Sequence, residues 1–510
     1  MSYIAGTPRN QGFLFPPMVE EWIPAEHPAR MIDWFVESLD CQGLGFGSQN
    51  EETGRPSFAP QVMLKILLYG YASGERSSRV LERWTYENVA LFWLTGNLHP
   101  DYRTIARFRQ EHQVSLTGLL KETLRLYAEA GVVFEGTVFS DGTKVYANAS
   151  DNEIASAERI KRLEHLAAKM VAEAAALDAR EEGQMGEQNR YLVPKERLGK
   201  IQEKIKTCSA ALAATTAKKV SLTDGQAKFM KHAGGHGKHL SYNGQVSVDA
   251  HGVILEAAVV TAPGESGALL QERVAAVEAN TGSAVERVVA DSGYYETNAV
   301  QELMDAGKAV VVPHPEAVKR ARGKARWYTV FDFHYLAEEK VYQCPAGQRL
   351  VFKWHKQSKG KHYLIYVAEK TVCQACPYRE RCYRGTATST WGRRLAVLAD
   401  REFVAAYEQN MEQHQDLMKR RKCIVEPVFG QFKSRFRFRR FLLRGLEKVN
   451  AEWHLLATVY NLKRLSKLFL QKPINPSLGG ALSAVLSKLI SCSNQFALFR
   501  FQMVSTVGYS

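Results

Sequence analysis

Three carboxylates stand where they could hold metal ions against a phosphodiester: Asp141, Asp291 and Glu426. Such chemistry needs two divalent cations about 3.5–4 Å apart, one activating the attacking oxygen and one stabilising the leaving oxygen. Carboxylates are the hard oxygen ligands those ions prefer. Asp141 ends the apolar run GVVFEGTVFS and Asp291 ends ERVVA, and each is followed by a glycine turn. An Asp at a tight turn is also an ordinary turn residue. If the two runs are neighbouring strands, both carboxylates emerge at one sheet edge.

Glu426 has a different setting, KRRKCIVEPVFGQFKSRFRFRRFLLRG. Between Lys419 and Arg444 there are ten basic residues (Lys419, Arg420, Arg421, Lys422, Lys433, Arg435, Arg437, Arg439, Arg440, Arg444) and this single acid. Val425, Val428, Phe429, Phe432 and Phe436 recur at helical spacing, so Glu426 and Lys433, two turns apart, share another side. Pro427 places Glu426 at the start of a helix. The competing reading is that Glu426 offsets nearby Arg and Lys.

Cys344, Cys373, Cys376 and Cys382 are a second candidate cluster. CPAG and CQAC are knuckle-like turns whose thiolates could close a tetrahedron around a structural Zn2+. Only Cys373 and Cys376 have the paired spacing, so buried thiols and redox chemistry stay open.

The chain around these residues has 510 positions, 45% apolar and 10% aromatic, enough for several folded units. Its net charge of +14 points to a polyanionic partner, because Lys and Arg near phosphates release condensed counterions. The polar opening MSYIAGTPRNQG and the lack of an apolar run of about 18–20 residues predict a cytosolic protein without a membrane span.

Residues 1–125 read as short helices, forming an N-terminal DNA-binding domain. In its last piece, PDYRTIARFRQEH, Arg103, Arg107 and Arg109 suit either a DNA-contacting helix or a basic bundle surface. Residues 126–316 and 400–470 alternate strands and helices as an α/β core, interrupted by a helical insertion at about 151–225. SYNGQVSVDAHG and VILEAAVVTAP read as a hairpin within it. Residues 317–399 read as an inserted β-rich subdomain carrying the cysteines, and 471–510 as a tail.

GRPSFAP, SSRVLE and PDYRTIARFR, with SDGTKVYANAS, VVADSGYY, VEPVFGQFK, FRRFLLRGLEKV and NLKRL, resemble the DDE transposases of bacterial insertion sequences, in particular the insertion sequence 1182 group. The resemblance covers about residues 27–465. It implies an RNase H-like core, a mixed sheet with flanking helices, in which Asp141, Asp291 and Glu426 bind two Mg2+ or Mn2+ ions. It further implies cleavage at the element's ends, transfer of the 3′-hydroxyl into target DNA, a homodimer at synapsis and a nucleoid-associated location. Lys433 matches the lysine that follows the family's glutamate after six intervening residues. Upstream the sequence departs from the family pattern: Lys422 stands where an arginine belongs and Lys419 where a tyrosine belongs, with Arg421 adjacent. Many relatives carry an Asn-Asp pair after the hairpin, and in this chain Glu265 and Ser266 stand near that place. Lys433, Lys422, Arg421, Arg435, Arg437, Arg439 and Arg440 are the expected DNA contacts. The alternatives are an RNase H-like nuclease without strand transfer and a transposase-derived DNA-binding protein that no longer cuts.

Overall fold

The computed structural model describes residues 18–47, 57–151, 153–181, 195–213, 219–232, 237–358, 360–383 and 389–471. The expected tail, and residues 182–194 of the expected helical insertion, lie outside them.

Among the described residues six α-helices precede the first strand: α1 (Pro28–Glu37), α2 (Pro60–Ala72), α3 (Ser78–Glu87), α4 (Val89–Thr95), α5 (Tyr102–Glu111) and α6 (Gln113–Glu129). Local chemistry starts several of them. Pro28 and Pro60 take the first helical position, where no N–H is needed, and the Asp101 side chain accepts from the N–H groups of Arg103 and Thr104 to cap α5.

Strand β1 (Thr137–Tyr146) follows, then an insertion of two helices, α7 (Ala157–Glu181) and α8 (Lys195–Ala213), bracketed by the paired short strands β2 (Ile154–Ala155) and β3 (Val220–Ser221). The core resumes with β4 (Lys228–Met230), β5 (His239–Val248), β6 (Ile254–Val260), α9 (Gly267–Thr281), β7 (Arg287–Val289), α10 (Thr297–Asp305) and β8 (Ala309–Val311). The expected hairpin is β5–β6, and Ser266 caps α9 by accepting from Leu269 N–H.

These strands make one mixed sheet in the order β4–β5–β1–β7–β8, with β6 also on β5. β5 is antiparallel to β1 and β6, whereas β7 and β8 run parallel to β1. This order is consistent with the RNase H-like core that the resemblance implies.

A second unit begins after α11 (Pro315–Ala321). Strands β9 (His334–Leu336), β10 (Val341–Gln343), β11 (Arg349–Ser358), β12 (Lys361–Val367) and β13 (Arg394–Leu398) form a separate antiparallel sheet, with α12 (Lys370–Gln374) and α13 (Arg379–Cys382) before the last strand. It has its own buried cluster, including Phe333, Tyr342, Leu350, Tyr366, Leu395 and Val397. Cys373 and Cys382 belong to this cluster, with Cys344 packed against it. Helices α14 (Arg401–Gln413), α15 (Gln415–Ser434) and α16 (Leu446–Gln471) complete the chain.

The N-terminal helices share buried packing with the sheet. One continuous buried cluster runs from Ile32 and Leu67 through Val138 and Val288 to Phe432 and Trp453. α16 joins the two parts, packing on α1, α2, α6 and β6. Its buried Asn461 receives Ile254 N–H at 3.0 Å and donates to Ile254 O at 2.8 Å and to Thr123 Oγ1 at 3.0 Å. Asn450 likewise receives Val259 N–H at 3.0 Å. These amides give partners to backbone groups at both ends of β6, on the edge of the strand that faces α16.

Candidate active site

β1 does not stop at Asp141, as the sequence suggested, but continues through it to Tyr146 because the antiparallel pairing with β5 persists along its length. Gly142 permits this. A Cβ there would lie 2.2 Å from Gln245 Nε2 and 2.9 Å from Asn243 Oδ1 on β5. Asp141 thus projects from mid-strand, half-buried.

Asp291 lies just beyond β7, which is parallel to β1 with Phe139 opposite Val289. Two further residues along each strand bring Asp291 beside Asp141, at the spacing of adjacent strands, about 5 Å between backbones. Asp291 also caps the turn that follows, accepting from Gly293 N–H at 2.8 Å. Gly293 is confined, since a Cβ would stand 2.9 Å from Asp291 Oδ1 and 3.1 Å from Glu265 Oε2. Glu265 is therefore a third acid at this end of the sheet. It pairs with Lys144 at 2.7 Å and receives Asn243 Nδ2 at 3.3 Å. The sequence flagged Glu265 only through its departure from relatives.

Burial pushes the Asp141 carboxyl above its ordinary range, the Arg421 guanidinium and the Gly142 N–H pull it down, and the Asp291 charge raises it again. Tyr294, buried beneath the acids and donating to Gln245 Oε1, is raised well above its usual value, first by burial and then by Asp141, Glu265 and Asp291. Asn243 Oδ1 and Gln245 Nε2 are buried with no hydrogen-bond partner among the described residues.

α15 lies across β1, β7 and β8. It runs unbroken through Pro427, so Glu426 is mid-helix and not at a helix start. Pro427 and Cys423 both face solvent, so the carbonyl deprived of its partner meets water, while Val425, Val428, Phe429 and Phe432 hold the helix by burial. Two side chains tie it to β1. Arg421 donates to Asp141 Oδ2 at 2.6 Å, and Lys433 Nζ donates to Thr143 Oγ1 at 2.7 Å. Burial lowers the Lys433 pKa.

Glu426 is exposed and makes no hydrogen bond or ion pair among the described residues. Helical register puts it within about 20° of Lys433 on one flank of α15. The structure therefore brings Asp141 and Asp291 together and sets Glu426 on the adjoining helix, without gathering all three. Among the described residues no three His, Cys, Asp or Glu side chains converge closely enough to hold a metal ion. The adjacent aspartates nevertheless suit a hard divalent cation: both offer carboxylate oxygens, and Arg421 already pairs as a cation with one of them, Asp141.

Of the expected DNA contacts, Lys422, Lys433, Arg435, Arg437, Arg439 and Arg440 are exposed. Arg421 is not; it is 7% exposed and turned inward to Asp141. Beyond α15 the expected helical spacing gives way to an extended segment in which Phe436, Phe438 and Phe441 are buried while the arginines between them face outward. This segment adjoins the end of β1, where Phe441 N–H donates to Tyr146 O at 2.9 Å. In α5, Arg103 and Arg107 are exposed, but Arg109 is buried and donates to Arg76 O and Ser78 Oγ, each at 3.0 Å, which excludes it from a DNA-facing row.

Cys344, Cys373, Cys376 and Cys382 line one pocket of the second unit. Arg393 N–H donates to Cys373 Sγ at 3.3 Å. Burial pushes the Cys373 thiol up and the Cys382 thiol up to about 11. The expected zinc sphere is not assembled in this geometry.

No curated protein matches the chain. Residues 17–111 match the family described as Transposase domain (DUF772), and residues 343–466 match the family described as Transposase DDE domain. The second match includes Glu426 and Lys433; neither reaches the sheet that carries Asp141 and Asp291. No described helix is long and apolar enough to cross a membrane. Two separate stretches of the chain are thus similar to transposase families, the earlier to the DUF772 transposase domain and the later to the transposase DDE domain.

Proposed function

We propose that this protein cleaves DNA at the ends of an insertion sequence and transfers the resulting 3′-hydroxyl into target DNA, with Asp141, Asp291 and Glu426 as its essential carboxylates. The observation that carries the reading is the parallel register of β1 and β7, which sets two acids side by side beneath the helix that bears the third. Two Mg2+ or Mn2+ ions, when bound, supply activation of the attacking oxygen and stabilisation of the leaving one.

The chain's own residues prepare that site. Asp141 and Asp291 are held by β1 and by the turn at Gly293. Glu426, unpaired among the described residues and on the same flank of α15 as Lys433, would be the third carboxylate to hold the ions. Lys433 and the outward arginines of 435–440 hold the phosphate backbone, fixing position and register without reading sequence. Joining two element ends in one reaction calls for two copies of the chain at synapsis, acting on nucleoid DNA in the bacterial cytoplasm. The four cysteines lining one pocket are the proposed ligands of a structural Zn2+, which would have to draw them inward.

Single replacements Asp141→Ala, Asp291→Ala and Glu426→Ala test the assignment, with end binding and cleavage measured separately. Loss of about 4 kcal/mol of transition-state stabilisation corresponds to on the order of 10³-fold slower cleavage. Binding to end DNA is expected to persist. Cleavage that survives in Asp291→Ala refutes the triad, and cleavage without joining to target DNA identifies a nuclease that lacks strand transfer.

A further inference from the structure

Both oxygens of Asp141 are engaged without any metal. Oδ1 accepts from Gly142 N–H at 2.8 Å and Oδ2 from Arg421 at 2.6 Å. The Arg421 side chain is 9% exposed, and its Nε is buried with no hydrogen-bond partner among the described residues. A guanidinium that leaves one buried donor unused is held chiefly by its carboxylate partner. The next residue, Lys422, faces solvent, so this contact belongs to Arg421 alone.

We propose that Arg421 is the resident counter-ion of the paired aspartates in the metal-free protein, and that it must release Asp141 Oδ2 when a divalent cation binds, so that it sets the cation affinity of the site. The inference rests on the reading of Asp141 as a metal ligand. Two carboxylates on neighbouring strands repel each other, and burial weakens the screening by water. Arg421 relieves that repulsion with a single charge on one of the two acids. A divalent ion would bring twice the charge to the two acids, yet Asp141 could offer it Oδ2 only once Arg421 let go. Arg421 is thus a positioning residue that keeps the empty site folded and restrains cation entry.

The test is calorimetric titration of Mn2+ into the full-length protein, together with thermal unfolding of the metal-free form, for wild type, Arg421→Met, Arg421→Gln, Arg421→Lys and Asp141→Asn. Removing the competing charge is expected to tighten Mn2+ binding about 10-fold in Arg421→Met and Arg421→Gln while lowering the metal-free midpoint. Arg421→Lys, which keeps the charge, is expected to stay near wild type. Arg421→Gln carries the same expectation if Arg421→Met proves too unstable to titrate. Unchanged or weaker Mn2+ binding in the neutral variants, with Asp141→Asn losing it, overturns the role of Arg421 alone. Equal Mn2+ binding by wild type and Asp141→Asn overturns the metal reading and this inference with it.

Discussion

Glu452 is where the N-terminal helices, the arginine-bearing segment and α16 are fastened together, and its removal tests that the two halves form one cooperative body. Its side chain is fully buried and accepts from Arg76 at 2.8 Å, from Leu442 N–H at 3.0 Å and from Leu443 N–H at 3.1 Å. Arg76, 12% exposed, also donates to Arg440 O at 2.8 Å and lies 4.4 Å from the Phe438 ring centroid. Glu452→Ala leaves a buried guanidinium uncompensated and two backbone donors without their acceptor. Breaking a buried pair from one side costs about 3–5 kcal/mol, so we expect a loss of about 4 kcal/mol. Glu452→Gln keeps an acceptor for the backbone and should lose about 2 kcal/mol. The double variant Arg76→Met with Glu452→Gln removes the stranded charge and should be more stable than Glu452→Ala. Urea unfolding, followed by fluorescence and circular dichroism, measures all three. A Glu452→Ala protein within about 1 kcal/mol of wild type refutes the argument.

Buried Glu256, paired with Arg273, has its carboxyl pushed up to about 7, first by burial. The folded state then binds the proton more tightly than the unfolded chain, so this group's contribution declines as pH rises from 4.5 to about 7. Over that window wild type should lose about 3 kcal/mol relative to Glu256→Gln, and a difference independent of pH contradicts the assignment. His454 acts in the opposite sense: burial lowers it to about 4, so its contribution is lost as pH falls from 6.5, which is why the Glu256 effect is read as a difference between variants. For the cysteine pocket, elemental analysis of protein purified without chelator should find about one zinc per chain, and none would end that proposal.

Much of the fold was legible locally. The hairpin of SYNGQVSVDAHG with VILEAAVVTAP and the two apolar runs leading to Asp141 and Asp291 are short-range signals, and each corresponds to an observed element. Errors arose where a distant partner overrode the local pattern. β1 continues past Asp141 because β5 pairs with it across about 100 intervening positions. α15 passes through Pro427 because the sheet buries its apolar face. Arg109 reads as a surface cation until the backbone of Arg76 is placed beside it. Phe436, Phe438 and Phe441 fit no single period, since their segment is shaped by distant partners, Trp453 of α16 and Tyr146 at the end of β1.

The candidate site divides in the same way. The sequence by itself determined which residues could do the chemistry: three acids, a lysine two turns beyond one of them and a run of arginines, because residue type and helical or strand period are local properties. Only the tertiary structure decided which of them meet. Parallel pairing of β1 with β7 joins Asp141 to Asp291, brings Glu265 close to them, leaves Glu426 on the neighbouring helix and selects Arg421 over Lys422 as the partner of Asp141. Strand order and register follow from burial summed over the whole sheet, so no short stretch of the chain can specify them.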